Sequence, residues 1–363
     1  MGGAASGASG GPTGASGVDG GGVSSDAGGR QIESSLIEGR YPPVDRLSGH
    51  RGTVEHLVRD GRSVQVMRVA ITGSSGLIGT ALRARLEGAG HTVVPVVRRA
   101  AAPGEIAWDP VAGTIDHAAL SDVDAVVHLA GAGIGDKRWT DAYKQEILGS
   151  RTRTTTLMAE TMASLDHGPR VLLSASGIGI YGDRGDEELD ETSDHGSGFL
   201  PDVCIAWEAG TAAAEVAGIR VAHLRTGIVL SPEGGALKKQ LPLFKLGLGG
   251  RFGAGTQWQS WISIDDEVGA IEHLLTSEVS GPVNLTAPAP VTNADFASTL
   301  ASVLRRPAFL PIPKFGPKAL LGGELADTLL FEGQKVLPRV LQGDGYTFAH
   351  LDLETALRAL LGR

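Results

Sequence analysis

Apolar residues follow two spacings along this chain, and the order of the spacings predicts the fold. Arg68-Val-Ala-Ile-Thr72 is a short apolar run, and just beyond it Leu77, Ile78, Ala81, Leu82 and Leu86 recur at helical intervals. That is the pattern of a buried strand handing over to an amphipathic helix. Further strand-like runs follow at Thr92–Val97, near Glu105–Ala107, at Ala125–Leu129, Arg170–Ser174 and Ile219–Leu224, with helical patterns between most of them. Strands alternating with helices pair in parallel through crossovers, so an α/β fold is expected, a Rossmann-type doubly wound parallel sheet. No internal repeat is present.

Before Met67 the pattern fades. Twelve of the chain's 53 glycines fall within residues 1–30, mixed with Ser and Ala and without apolar periodicity. Such a segment buries too little surface to offset its chain entropy. Residues 1–66 are therefore expected to be a disordered Gly/Ser-rich leader and linker, with a short amphipathic helix over 44–62 as its one structured candidate. Residues 67–240 are expected to be the nucleotide-binding domain, and 241–363 a C-terminal, substrate-side region.

Composition narrows the function. In 363 residues, 42% hydrophobic and 20% charged leave ample material for a core, and 32 basic against 41 acidic side chains give a net charge of −9. Bulk electrostatic binding of nucleic acid is disfavoured. No run of eighteen uncharged apolar residues predicts a membrane span. The single cysteine, Cys204, excludes an internal disulfide and a cysteine-cluster metal site, and no His/Asp/Glu group has metal spacing. A cytoplasmic protein without a metal, acting on a small molecule, is the expectation.

The turn after the first clear strand reads Gly73-Ser-Ser-Gly76-Leu-Ile-Gly79. In a dinucleotide site Gly73 allows the tight turn, Gly76 lets a pyrophosphate approach the backbone, and Gly79 lets the helix pack on the sheet. The phosphates then face the free N–H groups of the helix N-terminus. Gly73, Ser75, Gly76, Leu77, Ile78 and Gly79 are the candidate cofactor contacts. At the end of the second strand stand Arg98 and Arg99 rather than an acid. A planar guanidinium suits a ribose 2′-phosphate, so NADP(H) is expected over NAD.

With Ile71-Thr-Gly-Ser-Ser-Gly-Leu-Ile-Gly79, Val127-His-Leu-Ala-Gly131, Gly135-Asp-Lys-Arg-Trp-Thr140, Ser174-Ala-Ser-Gly-Ile-Gly-Ile-Tyr-Gly182, Leu224-Arg-Thr-Gly-Ile-Val-Leu230 and Trp261-Ile-Ser-Ile-Asp-Asp266, the chain from Arg68 to Leu361 resembles the extended short-chain dehydrogenase/reductase superfamily. More narrowly it resembles its NAD-dependent epimerase/dehydratase-like group of epimerase family proteins. Arg306-Pro307, Phe331-Glu-Gly-Gln-Lys-Val-Leu-Pro338 and Gly345-Tyr-Thr-Phe348 resemble the small C-terminal α+β domain of that group, starting near residue 290. The resemblance implies further cofactor contacts from Leu129, Ala130, Gly131, Ser174, Arg225 and Thr226.

It also implies a serine with a Tyr-x-x-x-Lys pair for proton transfer. Ser176 supplies the serine, with Ser174 as its alternative, but the pair is replaced by Cys204-Ile-Ala-Trp-Glu208. A carboxylate raises rather than lowers a neighbouring thiol's pKa, so Cys204 is not an obvious nucleophile. Glu208 becomes the acid/base candidate if desolvated, ahead of Tyr181. Lys137, Arg138 and Trp139 are either anion-binding or a solvated loop; Asp109 either binds adenine or makes a turn. Asp265 and Asp266 suit a helix N-terminus, and His128 a satisfied core position. The implied activity is NADP(H)-dependent oxidoreduction or epimerisation of a small polar, sugar-like metabolite by a monomer or homodimer. The alternative is a non-catalytic dinucleotide-binding regulator linked to cell division.

Overall fold

The computed structural model describes residues 56–59 and 62–363. The expected leader falls almost entirely outside them. Of the helix expected over 44–62, the described end is instead a strand, β1 (His56–Arg59), paired antiparallel with β2 (Arg62–Gln65).

The sheet domain runs through β3 (Arg68–Thr72), α1 (Leu77–Ala89), β4 (Thr92–Val97), β5 (Ile106–Asp109), β6 (Thr114–Ile115), α2 (His117–Leu120), β7 (Ala125–His128), α3 (Asp141–Ser164) and β8 (Val171–Gly177). A 3₁₀ turn, Ile178–Tyr181, and the short β9 (Glu188–Leu189) lead to α4 (Phe199–Ala209), α5 (Ala212–Val216) and β10 (Arg220–Thr226). Then come β11 (Ile228–Leu230), α6 (Gly235–Lys245), β12 (Trp258–Gln259), β13 (Trp261–Ser263), α7 (Ile264–Thr276) and β14 (Gly281–Leu285). The remainder holds β15 (Val291–Thr292), α8 (Asn293–Leu304), α9 (Phe315–Leu321), α10 (Gly323–Ala326), β16 (Lys335–Val336), α11 (Arg339–Gly343) and α12 (Leu353–Leu361).

Eight strands form one sheet in the order β14-β10-β8-β7-β3-β4-β5-β6, parallel throughout except for the β5–β6 hairpin. Growth of the sheet reverses at β3: β4 and β5 add on one side, β7, β8, β10 and β14 on the other. The carboxyl ends of β3 and β7 therefore flank the switch point where open α/β sheets bind ligands. Alternation along each strand sorts the core into two layers. Val69 and Ile71 pack with Leu82, Leu86, Ile271 and Leu274 of α1 and α7, whereas Ala70, Val126 and Leu172 pack with Met158 and Met162 of α3.

The boundary expected near residue 240 does not coincide with a break. β14 completes the sheet beside β10 and α7 lies against α1, so the sheet layers extend to Leu285. Residues beyond it join α6 in a smaller apolar cluster, in which Leu237, Leu241 and Phe244 meet Phe296 and Leu300 of α8 and Leu357 of α12. Two buried acids fasten this part to the sheet. Glu191 accepts the backbone N–H of Asn284 at 3.0 Å and of Val340 at 3.2 Å. Asp266 accepts those of Ala349 at 2.7 Å and His350 at 3.1 Å, and the helix cap expected of it is supplied by Ser263.

Candidate active site at the carboxyl edge of the sheet

Two of the three glycines in the turn after β3 are required by the fold. Gly73 has φ +67°, and a Cβ there would lie 3.0 Å from the Leu129 carbonyl; a Cβ on Gly79 would lie 2.2 Å from the Gly73 oxygen. Gly76 has φ −76° and a Cβ on it would meet only the Gly73 oxygen, at 3.3 Å. Its missing side chain instead keeps the N-terminus of α1 open, and that helix has no side-chain cap. Unsatisfied N–H groups behind an open glycine are the arrangement a pyrophosphate needs. The turn fits a dinucleotide.

The opposite wall is the segment after β7. Thr72 Oγ1 accepts the backbone N–H groups of Leu129 at 3.0 Å and Ala130 at 3.1 Å, and its proton goes to His128 Nδ1 at 3.0 Å. With both lone pairs of Thr72 used, His128 must be the neutral tautomer protonated on Nε2, which donates to Thr154 Oγ1 at 3.1 Å. Burial pushes the imidazole down to about 4. His128 is thus a core histidine that shapes the Leu129-Ala130-Gly131 bend.

At the end of β4, Arg98 is exposed and without a hydrogen-bond or ion-pair partner among the described residues. Arg99 is held by Glu105 through two bonds of 2.6 and 2.7 Å, and these hold the Glu105 carboxyl at about 2. Of the two arginines, Arg98 is the one free to turn toward a ligand.

The catalytic candidates converge on the other side of β3. Ser176 Oγ donates to Glu208 Oε1 at 2.7 Å, bringing β8 and α4 together. Arg225 of β10 then grips both Glu208 oxygens, Nε to Oε1 and Nη2 to Oε2, each at 2.9 Å. Burial pushes the Glu208 carboxyl up, but the hydrogen bonds and charge of Arg225, with Ser176 and His223, outweigh it and leave it below its ordinary value. Glu208 is therefore an ionised, paired carboxylate whose basicity Arg225 lowers, where desolvation alone would have raised it. Tyr181 is fully buried; its hydroxyl donates to Asn284 Oδ1 at 2.7 Å and accepts from Arg225 Nη1 at 3.0 Å. It buttresses Arg225 and has no proton to offer a ligand. Cys204 is buried, and burial together with Glu208 pushes its thiol up to about 11.

Most of the other polar candidates have protein partners. Ser174 is fully buried with its Oγ unpartnered, away from the edge. Arg225 is committed as above, and Thr226 Oγ1 donates to Glu267 at 2.9 Å, on the opposite face of the sheet. Arg138 donates to carbonyls of Ala319 and Leu320, Lys137 pairs with Glu146 at 3.5 Å, and the Trp139 indole N–H donates to Ile134. Asp109 accepts the N–H groups of Val111 and Ala112 in an ordinary turn. Sequence reasoning missed Arg225 as the partner of Glu208 and missed His223, whose Nδ1 lies 3.8 Å from Glu208 Oε2. Their spacing of two on β10 was the available signal, since it puts both on the face toward α4.

Residues 69–286 match the model of the NAD dependent epimerase/dehydratase family, and residues 312–360 that of a domain of unknown function, DUF1731. An epimerase family protein of Mycobacterium bovis is 46% identical over 291 residues, covering 80% of this chain and 96% of that protein. The crystal structure of human epimerase family protein SDR39U1 with NADPH superposes with a TM-score of 0.74 at 36% identity, covering 82% of this chain and 99% of the human one. A nucleoside-diphosphate sugar epimerase from Corynebacterium glutamicum gives 0.68 at 38% identity, covering 82% of this chain and 59% of that one. With the nucleotide turn, the sheet order and these matches together, the chain belongs to the NAD dependent epimerase/dehydratase family.

Proposed function

We propose that the protein is an NADP(H)-dependent oxidoreductase or epimerase acting on a small polar metabolite, with a sugar-like substrate as the first class to test. One observation carries the reading: the open Gly76 cradle and the Ser176–Glu208–Arg225 chain lie on the same carboxyl edge of one sheet. NADPH in the human relative and the unpaired Arg98 support NADP(H) over NAD. The Corynebacterium relative, described as a nucleoside-diphosphate sugar epimerase, supports the substrate class.

A bound nicotinamide supplies hydride exchange. The protein's part is the proton. Because Ser176 donates to an ionised carboxylate, its lone pairs are free to take a proton from a substrate hydroxyl while its own proton moves to Glu208 Oε1. Arg225 stays fixed on Glu208 throughout and keeps the carboxylate oriented. Purified protein with NADPH or NADP⁺ is assayed against a panel of small carbonyl compounds and nucleotide sugars. Turnover that falls by about 100-fold or more in Ser176→Ala supports the reading; NADPH binding without turnover across the panel contradicts it.

A second reading rests on the same pair. Glu208 is neutralised by Arg225 and Cys204 is held protonated, which suits a dinucleotide-binding regulator without catalysis. A Glu208→Gln variant that keeps NADPH binding and its cellular phenotype favours the regulator.

A further inference from the structure

Two arginines are buried among the described residues, and only one of them has a counter-charge. Arg225 is neutralised by Glu208. Arg151, in the first half of α3 and 8% exposed, pairs with no carboxylate. Its Nη1 donates to the carbonyls of Ala132 at 2.9 Å and Ile147 at 3.1 Å, and its guanidinium lies over the Trp207 indole, 4.7 Å from the ring centroid. The three N–H groups on Nε and Nη2 have no protein acceptor among the described residues, and both nitrogens reach solvent. A guanidinium anchored through Nη1 with its remaining N–H groups open is set to receive the oxygens of a ligand.

The place of Arg151 says which ligand atoms these are. The Gly73–Gly79 turn at β3 takes the pyrophosphate, and Arg98, just after β4, marks the adenosine side. The rest of a dinucleotide must extend the other way, over β7 and β8. Arg151 stands there, under the bend after β7, where a Cβ on Gly131 would lie 3.3 Å from its Cζ. The Trp207 ring it lies over belongs to α4, the helix whose Cys204 Sγ would lie 3.9 Å from a Cβ on Gly177 at the end of β8.

We infer that Arg151 is a cofactor-binding residue whose free N–H groups hold the ribose and phosphate oxygens of the nicotinamide half of NADP(H). The inference rests on the cofactor reading above. It assigns to α3 a cation that α4 does not provide, since Glu208 there is a carboxylate closed off by Arg225.

The test compares NADPH with adenosine 2′,5′-bisphosphate, which keeps the adenosine and its 2′-phosphate but lacks the nicotinamide half. Dissociation constants are measured by calorimetry for the wild-type protein, Arg151→Met and Arg151→Lys, with circular dichroism to confirm folding. NADPH is expected to weaken by about tenfold or more in both variants, because both lose the guanidinium fork. The bisphosphate should change less than about twofold, since its contacts lie across the pyrophosphate turn. Equal weakening of both ligands, or of neither, in the folded variants overturns the inference. Should Arg151→Met fail to fold, Arg151→Lys carries the comparison alone. A wild-type protein that binds neither ligand contradicts the cofactor reading itself.

Discussion

Arg225 holds Glu208 by both carboxylate oxygens at 2.9 Å, and the two side chains are only 4% and 11% exposed. Removing one partner of such a pair strands the other charge in the interior. Glu208→Gln or Arg225→Met is expected to cost about 3–5 kcal/mol in urea denaturation, with part of that loss recovered in the double variant. Additive losses in the double variant would show that the two do not act as a pair.

The glycines of the nucleotide turn should separate folding from binding. Gly79→Ala places a Cβ 2.2 Å from the Gly73 oxygen and is expected to destabilise by about 1–3 kcal/mol. Gly76→Ala meets only a 3.3 Å contact, so its melting temperature should stay near the wild-type value. Its NADPH affinity should nevertheless fall by about tenfold or more, because the new methyl group stands in the proposed pyrophosphate site. Calorimetric binding and thermal denaturation on the two variants check both halves of the contrast.

Cys204 should be chemically silent in the native protein. Its thiol is buried and its pKa lies at about 11, so almost no thiolate exists at pH 8. A disulfide reagent such as dithiobisnitrobenzoate is expected to label it rapidly only after unfolding in urea. Fast labelling of the folded protein would reopen a nucleophilic role.

Glu267 gives the sheet an unusual pH dependence. It is fully buried, Thr226 donates to one of its oxygens at 2.9 Å, and the other has no partner. Burial pushes its pKa up to about 8, against 4.5 ordinarily. A raised folded-state pKa means the native protein holds a proton that the unfolded chain releases first. Its contribution to stability is therefore whole below about pH 4.5 and is lost as pH rises to about 8. Glu267→Gln should flatten the stability profile over that window, as read by urea midpoints at pH 5, 6.5 and 8. Glu208 has the opposite sign, since its lowered pKa makes its contribution fail only in acid, below its unfolded value.

What could be read from the sequence was what is local. The strand, glycine turn and helix from Arg68 to Leu86 form where the apolar spacing places them, because a turn's geometry and a helix's periodicity need only neighbours. The β14 strand escaped because Gly281-Pro-Val-Asn-Leu285 opens with two residues strands avoid, and the sheet accepts it at an edge. The pairing of Glu208 with Arg225 was hidden for another reason. It depends on the register of β10 against β8, where Arg225 lies beside Ser176, and long-range register cannot be counted along one chain. Arg151 was concealed in the same way, its helix giving no sign of the bend it would meet.

The most direct measurement is a pair of calorimetric titrations, NADPH and NADH into the wild-type protein and into Arg98→Ala. On the NADP(H) reading, saturable NADPH binding is expected, tighter than NADH by about tenfold or more, with the difference largely abolished in the variant, which lacks the proposed Arg98 contact to the 2′-phosphate. Equal affinity for the two cofactors in the wild-type protein, or no binding of either, would contradict it.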